Sequence, residues 1–301
     1  MARSKYGKRP DHRNKKMFIA VSLTPIMLLF ITFTLLPIVM ACVLAFSSYD
    51  GLRGVLNFNG FDNIRGLLND ELFRMAIWNT FRFVLLAVPL NIAITLLLAM
   101  AINKVRNAKL KHLLRTIFFV PVIAPLVGSV LVWQTFFNYD HGLFNMLLEF
   151  VGLQPVHWLT ETKPAMISVI LMVLWADIGY NIVLFMSGLD SIPDMFYEAA
   201  KLDGAGRFRR FRHITLPLLS RTTLFVAVMT VLSYFQAFTQ FKVLTGGGPS
   251  NSTRVLSLQI YDTAFKYFDL GVASTMAMVL FAIMLSITWF QLKIGKSQWE
   301  Y

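Results

Sequence analysis

Two groups of residues in this chain have types and spacing that can do chemistry. The first is the charged segment Glu198–Pro217, EAAKLDGAGRFRRFRHITLP, lodged between two apolar runs. Small Ala199 and Ala200 permit close approach by another protein, and Glu198 offers a charge to a cationic or helix-terminal partner. Its chemistry is either docking or that of an interfacial helix pair that merely links two spans. The second group is Asp177, which shares the middle of an apolar run with Trp175, Tyr180 and Asn181. An ionised Asp at a bilayer centre costs roughly 2.5–3.5 kcal/mol on insertion scales, so it must be paired, hydrated or protonated. A helix carrying these four side chains cannot face lipid all round, and part of it lines a cavity or a partner. Two roles for Asp177 stay open, contact with a substrate and pairing with a polar group of another subunit.

The elements that position these groups follow from composition. The chain is 56% hydrophobic, 14% aromatic and only 15% charged, the profile of a polytopic membrane protein. Six apolar windows lie at 17–46, 78–102, 113–137, 165–189, 218–244 and 270–292. Each can cross a hydrocarbon core of about 30 Å. The formal net charge of +12 raises nucleic acid as a partner, but the basic residues follow alternate connections. Arg3, Lys5, Lys8, Arg9, Arg13, Lys15 and Lys16 precede the first window; Lys104, Arg106, Lys109, Lys111 and Arg115 follow the second. Lys201, Arg207, Arg209, Arg210 and Arg212 follow the fourth, and Lys293 and Lys296 end the chain. The opposite connections mix Arg53, Arg65, Arg74, Lys163, Arg254 and Lys266 with at least as many acids. The positive-inside rule then puts both termini in the cytoplasm and leaves no nucleic-acid patch.

Local signals refine the outline. Trp78 and Trp133 are expected at outer interfaces and Trp289 at an inner one. Pro25, Pro37, Pro89, Pro121 and Pro125 are expected to bend their spans. Ser191-Ile192-Pro193-Asp194 predicts a helix start capped by Ser191, with Gly204 ending that helix. A second short amphipathic helix should follow, with Phe208, Phe211 and Ile214 as its stripe and the arginines elsewhere.

The frame Glu198-Ala199-Ala200, Gly204, Ile214-Thr215-Leu216-Pro217 resembles the EAA loop of binding-protein-dependent ABC importer permeases. The order of Gly60-Phe61-Asp62-Asn63, Asn79-Thr80, Pro121, Trp133, Gly142 with Asn145, Thr245-Gly246-Gly247-Gly248-Pro249 and Tyr261 through Gly271 resembles the maltose-type and glycerol-phosphate-type carbohydrate branch. This resemblance implies an all-α, type I importer permease fold with about six transmembrane helices in the membrane of a prokaryote. It implies a core at 75–292 with its coupling loop at 191–217, preceded by an arm, first helix and outer loop at 1–74 and followed by a tail at 293–301. It further implies that Glu198, Ala199, Ala200, Asp203 and Gly204 couple to a dimer of cytoplasmic ATPase subunits. A second homologous permease, an extracytoplasmic substrate-binding protein and a carbohydrate complete the expected partners, besides membrane lipid. ATP and Mg would sit on the ATPase, with no cofactor in this chain. By position, the resemblance places substrate at Trp175, Asp177 and Tyr180 on one wall and Thr230, Tyr234 and Ala237 on the other. Asp177 and Ala237 stand where the maltose-type site has glycine and asparagine, so the ligand need not be maltose. Ser233, Gln236 and Gln240 add hydrogen-bonding groups nearby. The TGGGP turn either shapes a surface for the binding protein or is a plain turn.

Other classes lack their residues. Gly295-Lys296-Ser297 mimics the end of a Walker A motif, but Phe290 occupies the place of its first glycine. No H-E-x-x-H or G-x-S-x-G occurs, and His12, His112, His141, His157 and His213 are scattered, which argues against an enzyme. The single Cys42 excludes an intrachain disulfide. An ion-gradient-driven secondary transporter is the main alternative. It normally needs several intramembrane ionisable groups or broken helices for the coupling ion, this chain offers chiefly Asp177, and such a transporter leaves the Glu198–Pro217 motif unexplained.

Overall fold

The computed structural model describes residues 12–50 and 55–295 and is almost wholly helical. The N-terminal arm up to residue 11, Arg53 and the tail from Lys296 lie outside the described residues. Four helices are long and apolar enough to cross a membrane: Ile19–Ala45, Glu71–Asn103, Thr162–Asp190 and Leu270–Ile294, the first, second, fourth and sixth spans. Two bent pairs bring the number to six if each is one span. Ala108–Ile123 with Leu126–Phe136 forms the third span, bent by 99°, and Arg207–Leu218 with Ser220–Phe235 the fifth, bent by 66°.

Short polar side chains set the helix starts. Asp70 accepts from the Leu72 N–H at 2.9 Å, Asn107 from Lys109 and Leu110, and Asp269 from Val272 at 3.0 Å. Each satisfies donors that a helix start leaves open. The third span breaks where Ala124 and Pro125 are extended, since a proline steers its predecessor out of the α region. Pro37 and Pro217 act differently. Each follows a widened π turn, Ile31–Leu35 and Phe211–Thr215, by two residues. The wider turn accommodates a ring that would otherwise meet the carbonyl four residues back.

Three expectations are corrected. The fifth window is not one helix: it stops at Phe235 and resumes as Thr239–Leu244, leaving Ala237 in the break. Thr230, Tyr234 and Ala237 therefore share no continuous helix face. Tertiary contacts hold the break, because the Ser257 hydroxyl donates to the Ala237 carbonyl and the Phe238 ring packs on Tyr261 at 4.8 Å. Ser191 does not cap the following helix; its hydroxyl turns back to the Gly188 carbonyl at 2.7 Å, and Pro193 holds the cap position. Trp133 is no interfacial anchor, being buried among Phe136, Phe137 and Phe144.

The spans pack around two apolar clusters. One joins the second, fourth and fifth spans at the basic end through Leu96, Ile102, Ile182, Phe185, Leu219 and Val226. The other fills the opposite half around Phe83, Tyr234, Phe235 and Phe241. Gly179 lets the fourth span press on the third so closely that a Cβ there would lie 2.0 Å from the Phe118 carbonyl oxygen. The first span packs chiefly on the sixth and is otherwise unburied.

Buried asparagines pin the connections at the opposite end. Asn63 donates to the Ala45 and Ser47 carbonyls, beside a short ribbon pairing Ser47–Asp50 with Val55–Phe58. Asn79 donates to the carbonyls of Asn251 and Arg254, and Thr80 accepts from Leu256. Asn145 accepts from the Val156 N–H and the Trp158 indole. Gly246 and Gly247 take positive φ of 60° and 90°, as a glycine turn there requires. Asp262 closes this end, paired with Arg254 at 2.8 Å and Lys242 at 3.1 Å. Burial alone would raise its carboxyl; hydrogen bonds and charge from Arg254 and Lys242 outweigh that and hold it below the ordinary range.

Two outcomes follow for purified protein in detergent. Gly179→Ala should destabilise by about 1–3 kcal/mol through overpacking. Gly128→Ala, where a Cβ meets nothing within 4 Å, should be neutral or stabilising by up to about 1 kcal/mol; equal thermal shifts would refute the close contact. The Asp262 pair has a folded value below the unfolded one of about 3.9, so its stabilisation is complete above that pH and is lost as pH falls through the folded value. Asp262→Asn should therefore melt below wild type at neutral pH, with the gap narrowing in acid. A gap that stays constant with pH would exclude this linkage.

Candidate functional site

Along the fourth and fifth spans lies a cavity of about 290 Å³. Asp177, Tyr180 and Asn181 line it from the fourth span, Met229, Thr230 and Ser233 from the fifth, and Val122 from the third. Its polar wall rests on a buried network. The Tyr234 hydroxyl bonds to Asp177 and accepts from Asn91 Nδ2 at 2.9 Å. Asn181 Nδ2 donates to Asn91 Oδ1 at 2.7 Å and to Thr230 Oγ1 at 3.2 Å. Three spans thus share one connected set of polar groups, each answering another where water is scarce.

Of the six residues expected at this site, the fold brings Asp177, Tyr180 and Thr230 to the cavity wall. Tyr234 stands behind them, buried, as the link between Asp177 and Asn91. Trp175 and Ala237 are not among the lining residues. Trp175 packs on Trp133 at 5.6 Å with about a third of its surface exposed, and Ala237 belongs to the break in the fifth span. Asn91 is the member of this network that sequence reasoning missed. The available signal was an Asn at the middle of the second apolar window, with Thr95 on the same face one turn later.

At the basic end, Asp194–Leu202 forms a short helix that presents one face to solvent. Met195, Glu198, Ala199 and Leu202 are exposed at i, i+3, i+4, i+7 spacing, Leu202 at 90%. Phe196 and Tyr197 pack inward on the core, and the Tyr197 hydroxyl meets Thr215 Oγ1 at 3.0 Å. Gly204, at φ 73°, ends the helix as expected. The Ala205 N–H bonds the Ala200 carbonyl and the Gly204 N–H that of Lys201, the paired pattern of a Schellman turn. Ala199 and Glu198 are exposed, Ala200 half-buried, and Asp203 and Gly204 exposed at the turn. The expected aromatic stripe is partial: Phe211 and Ile214 are half-buried and Phe208 is exposed, because the π turn shifts the register after Arg210. Asp190, at the end of the fourth span, pairs with Arg115 at 3.2 Å and Lys111 at 3.6 Å and so ties the third span to the loop's root.

The same architecture is known. A chain of the bacterial alginate ABC transporter, crystallised with an alginate pentasaccharide-bound periplasmic protein, superposes with a TM-score of 0.83 at 24% identity, covering 94% of this chain and 95% of that one. Among sequences, the probable ABC transporter permease protein YesP of Bacillus subtilis is 35% identical over 93% of this chain and 90% of its own. The trehalose/maltose transport system permease protein MalF of Thermococcus litoralis is 34% identical over 72% of each chain. Nothing in these relatives supports the gradient-driven alternative. Residues 91–298 match the family model for the inner membrane component of binding-protein-dependent transport systems. With its apolar spans and the polar cavity between them, this multi-pass chain belongs to that family, as a transport component and not an enzyme.

Proposed function

We propose that this chain is a permease subunit of an ATP-driven importer for a carbohydrate, an oligosaccharide or sugar derivative. The cavity carries this reading: a carboxylate, two hydroxyl-bearing residues of the fifth span, an amide and an exposed tyrosine ring converge midway along apolar spans. Sugar hydroxyls need such donors and acceptors, and their apolar faces suit a ring such as Tyr180. A relative named for trehalose and maltose transport supports the substrate class. A second homologous permease would complete the path, and an extracytoplasmic binding protein would deliver the sugar to it.

The basic end would face the cytoplasm, in keeping with the distribution of Lys and Arg, with both termini on that side. There the exposed face of Asp194–Leu202 would seat in one subunit of an ATPase dimer, which holds the ATP and Mg. Glu198, Ala199, Ala200, Asp203 and Gly204 make or shape that contact. Closure of the ATPases would push this helix, and the Tyr197–Thr215 contact together with the Asp190 pairs would pass the displacement to the third, fourth and fifth spans.

Reconstitution with candidate ATPase and permease partners tests both halves. Glu198→Lys with Gly204→Asp should cut binding-protein-stimulated ATP hydrolysis by about tenfold or more, within the usual coupling range of 1–3 kcal/mol. Hydrolysis equal to wild type would remove the docking assignment. Asp177→Asn should weaken sugar dependence by about tenfold, the loss of one charged hydrogen bond. An unchanged concentration dependence would leave Asp177 a purely structural group.

A further inference from the structure

Two adjoining cavities of about 400 and 310 Å³ open between the end of the second span and the second half of the basic loop. Both are lined by Met100, Lys104, Tyr197, Arg210 and Thr215; Arg207 and Phe211 complete the larger, and Asp194 and Lys201 stand on the smaller. Among the described residues no carboxylate pairs with Lys104, Arg207 or Arg210; the ion pairs at this end use Lys111, Arg115 and Asp190 instead. The Arg210 Nε is buried and bonded to no acceptor among the described residues. A buried guanidinium N–H left open is costly, and its planar fork fits phosphate oxygens in a bidentate arrangement.

Depth and wall chemistry narrow the ligand. Lys104 follows directly on Asn103, where the second span ends, so the cations stand at the height of lipid headgroups. Met100, Tyr197 and Phe211 give the same cavity an apolar side. We propose that this cavity binds the phosphate headgroup of an anionic phospholipid. The headgroup would join the end of the second span to the loop's second half, adding a contact beside the Tyr197–Thr215 bond. This site needs neither the carbohydrate nor the ATPase assignment. A soluble phosphate offers the same oxygens, but the apolar wall and the depth favour the lipid.

Native mass spectrometry of the full chain in detergent tests this, titrating phosphatidylglycerol against phosphatidylcholine of the same acyl chains. Phosphatidylglycerol should be retained and phosphatidylcholine not. Removing the pocket cations as Lys104→Gln, Arg207→Gln and Arg210→Gln should weaken retention by about fivefold per cation. The charge-matched variant Lys109→Gln, Arg209→Gln and Arg212→Gln, outside the cavity lining, should retain it. If the triple pocket variant does not purify folded, Arg210→Gln alone carries the comparison, with about a fivefold loss expected. Equal losses in both triple variants would reduce the effect to the general basic face. Equal retention of the two lipids, or displacement by inorganic phosphate at the lipid's own concentration, would overturn the lipid site.

Discussion

Inside a bilayer a polar group must find its partner within the protein, and that constraint organises the centre of this molecule. Asp177 cannot stand alone among apolar side chains. It is met by Tyr234, which is met by Asn91, which is met by Asn181, which also reaches Thr230. The chain of contacts crosses from the fourth span to the fifth, to the second, and back to the fourth. Those three spans therefore have one mutual register in which every group is answered. The cavity wall is the exposed edge of this network, so its shape is inherited from the packing behind it.

The same rule recurs at the end away from the basic loop. Asn63, Asn79 and Asn145 each take up the backbone of a distant connection. An amide offers both donors and an acceptor, so one side chain can hold two strands of backbone that no sheet or helix satisfies. These contacts shape the surface around the glycine turn. At the basic end the joints are of another kind: a salt-bridged Asp190, a single hydroxyl pair and a glycine in the left-handed region. Few and polar, they let a short helix present its face while staying attached to the spans behind it.

Composition and periodicity made the membrane class, the six spans and the basic end legible, because hydropathy and the distribution of Lys and Arg are properties of the chain read locally. The frame from Glu198 to Pro217 marked the short helix and turn between the fourth and fifth spans, and Gly204 marked the helix end, since only a residue without Cβ takes that φ freely. Asp177 was legible as a polar group that needed company. Which company it keeps was not. Asn91 lies 143 residues from Tyr234, and no spacing rule reaches across that separation.

Tertiary structure decided what hydropathy cannot weigh. The fifth span breaks at Gln236 to Phe238 without a glycine or proline to announce it, because a hydroxyl and an aromatic ring from the following segment hold the chain there. Trp133, near the end of its window, and Trp175, in the middle of its own, become one packed pair where the second half of the third span meets the fourth. The sequence by itself determined which segments are apolar enough to enter the membrane, which end is basic and where the charged loop lies between its spans. Folding chose which polar side chains meet, since burial in a low dielectric rewards only those pairs that the packing brings within hydrogen-bond reach.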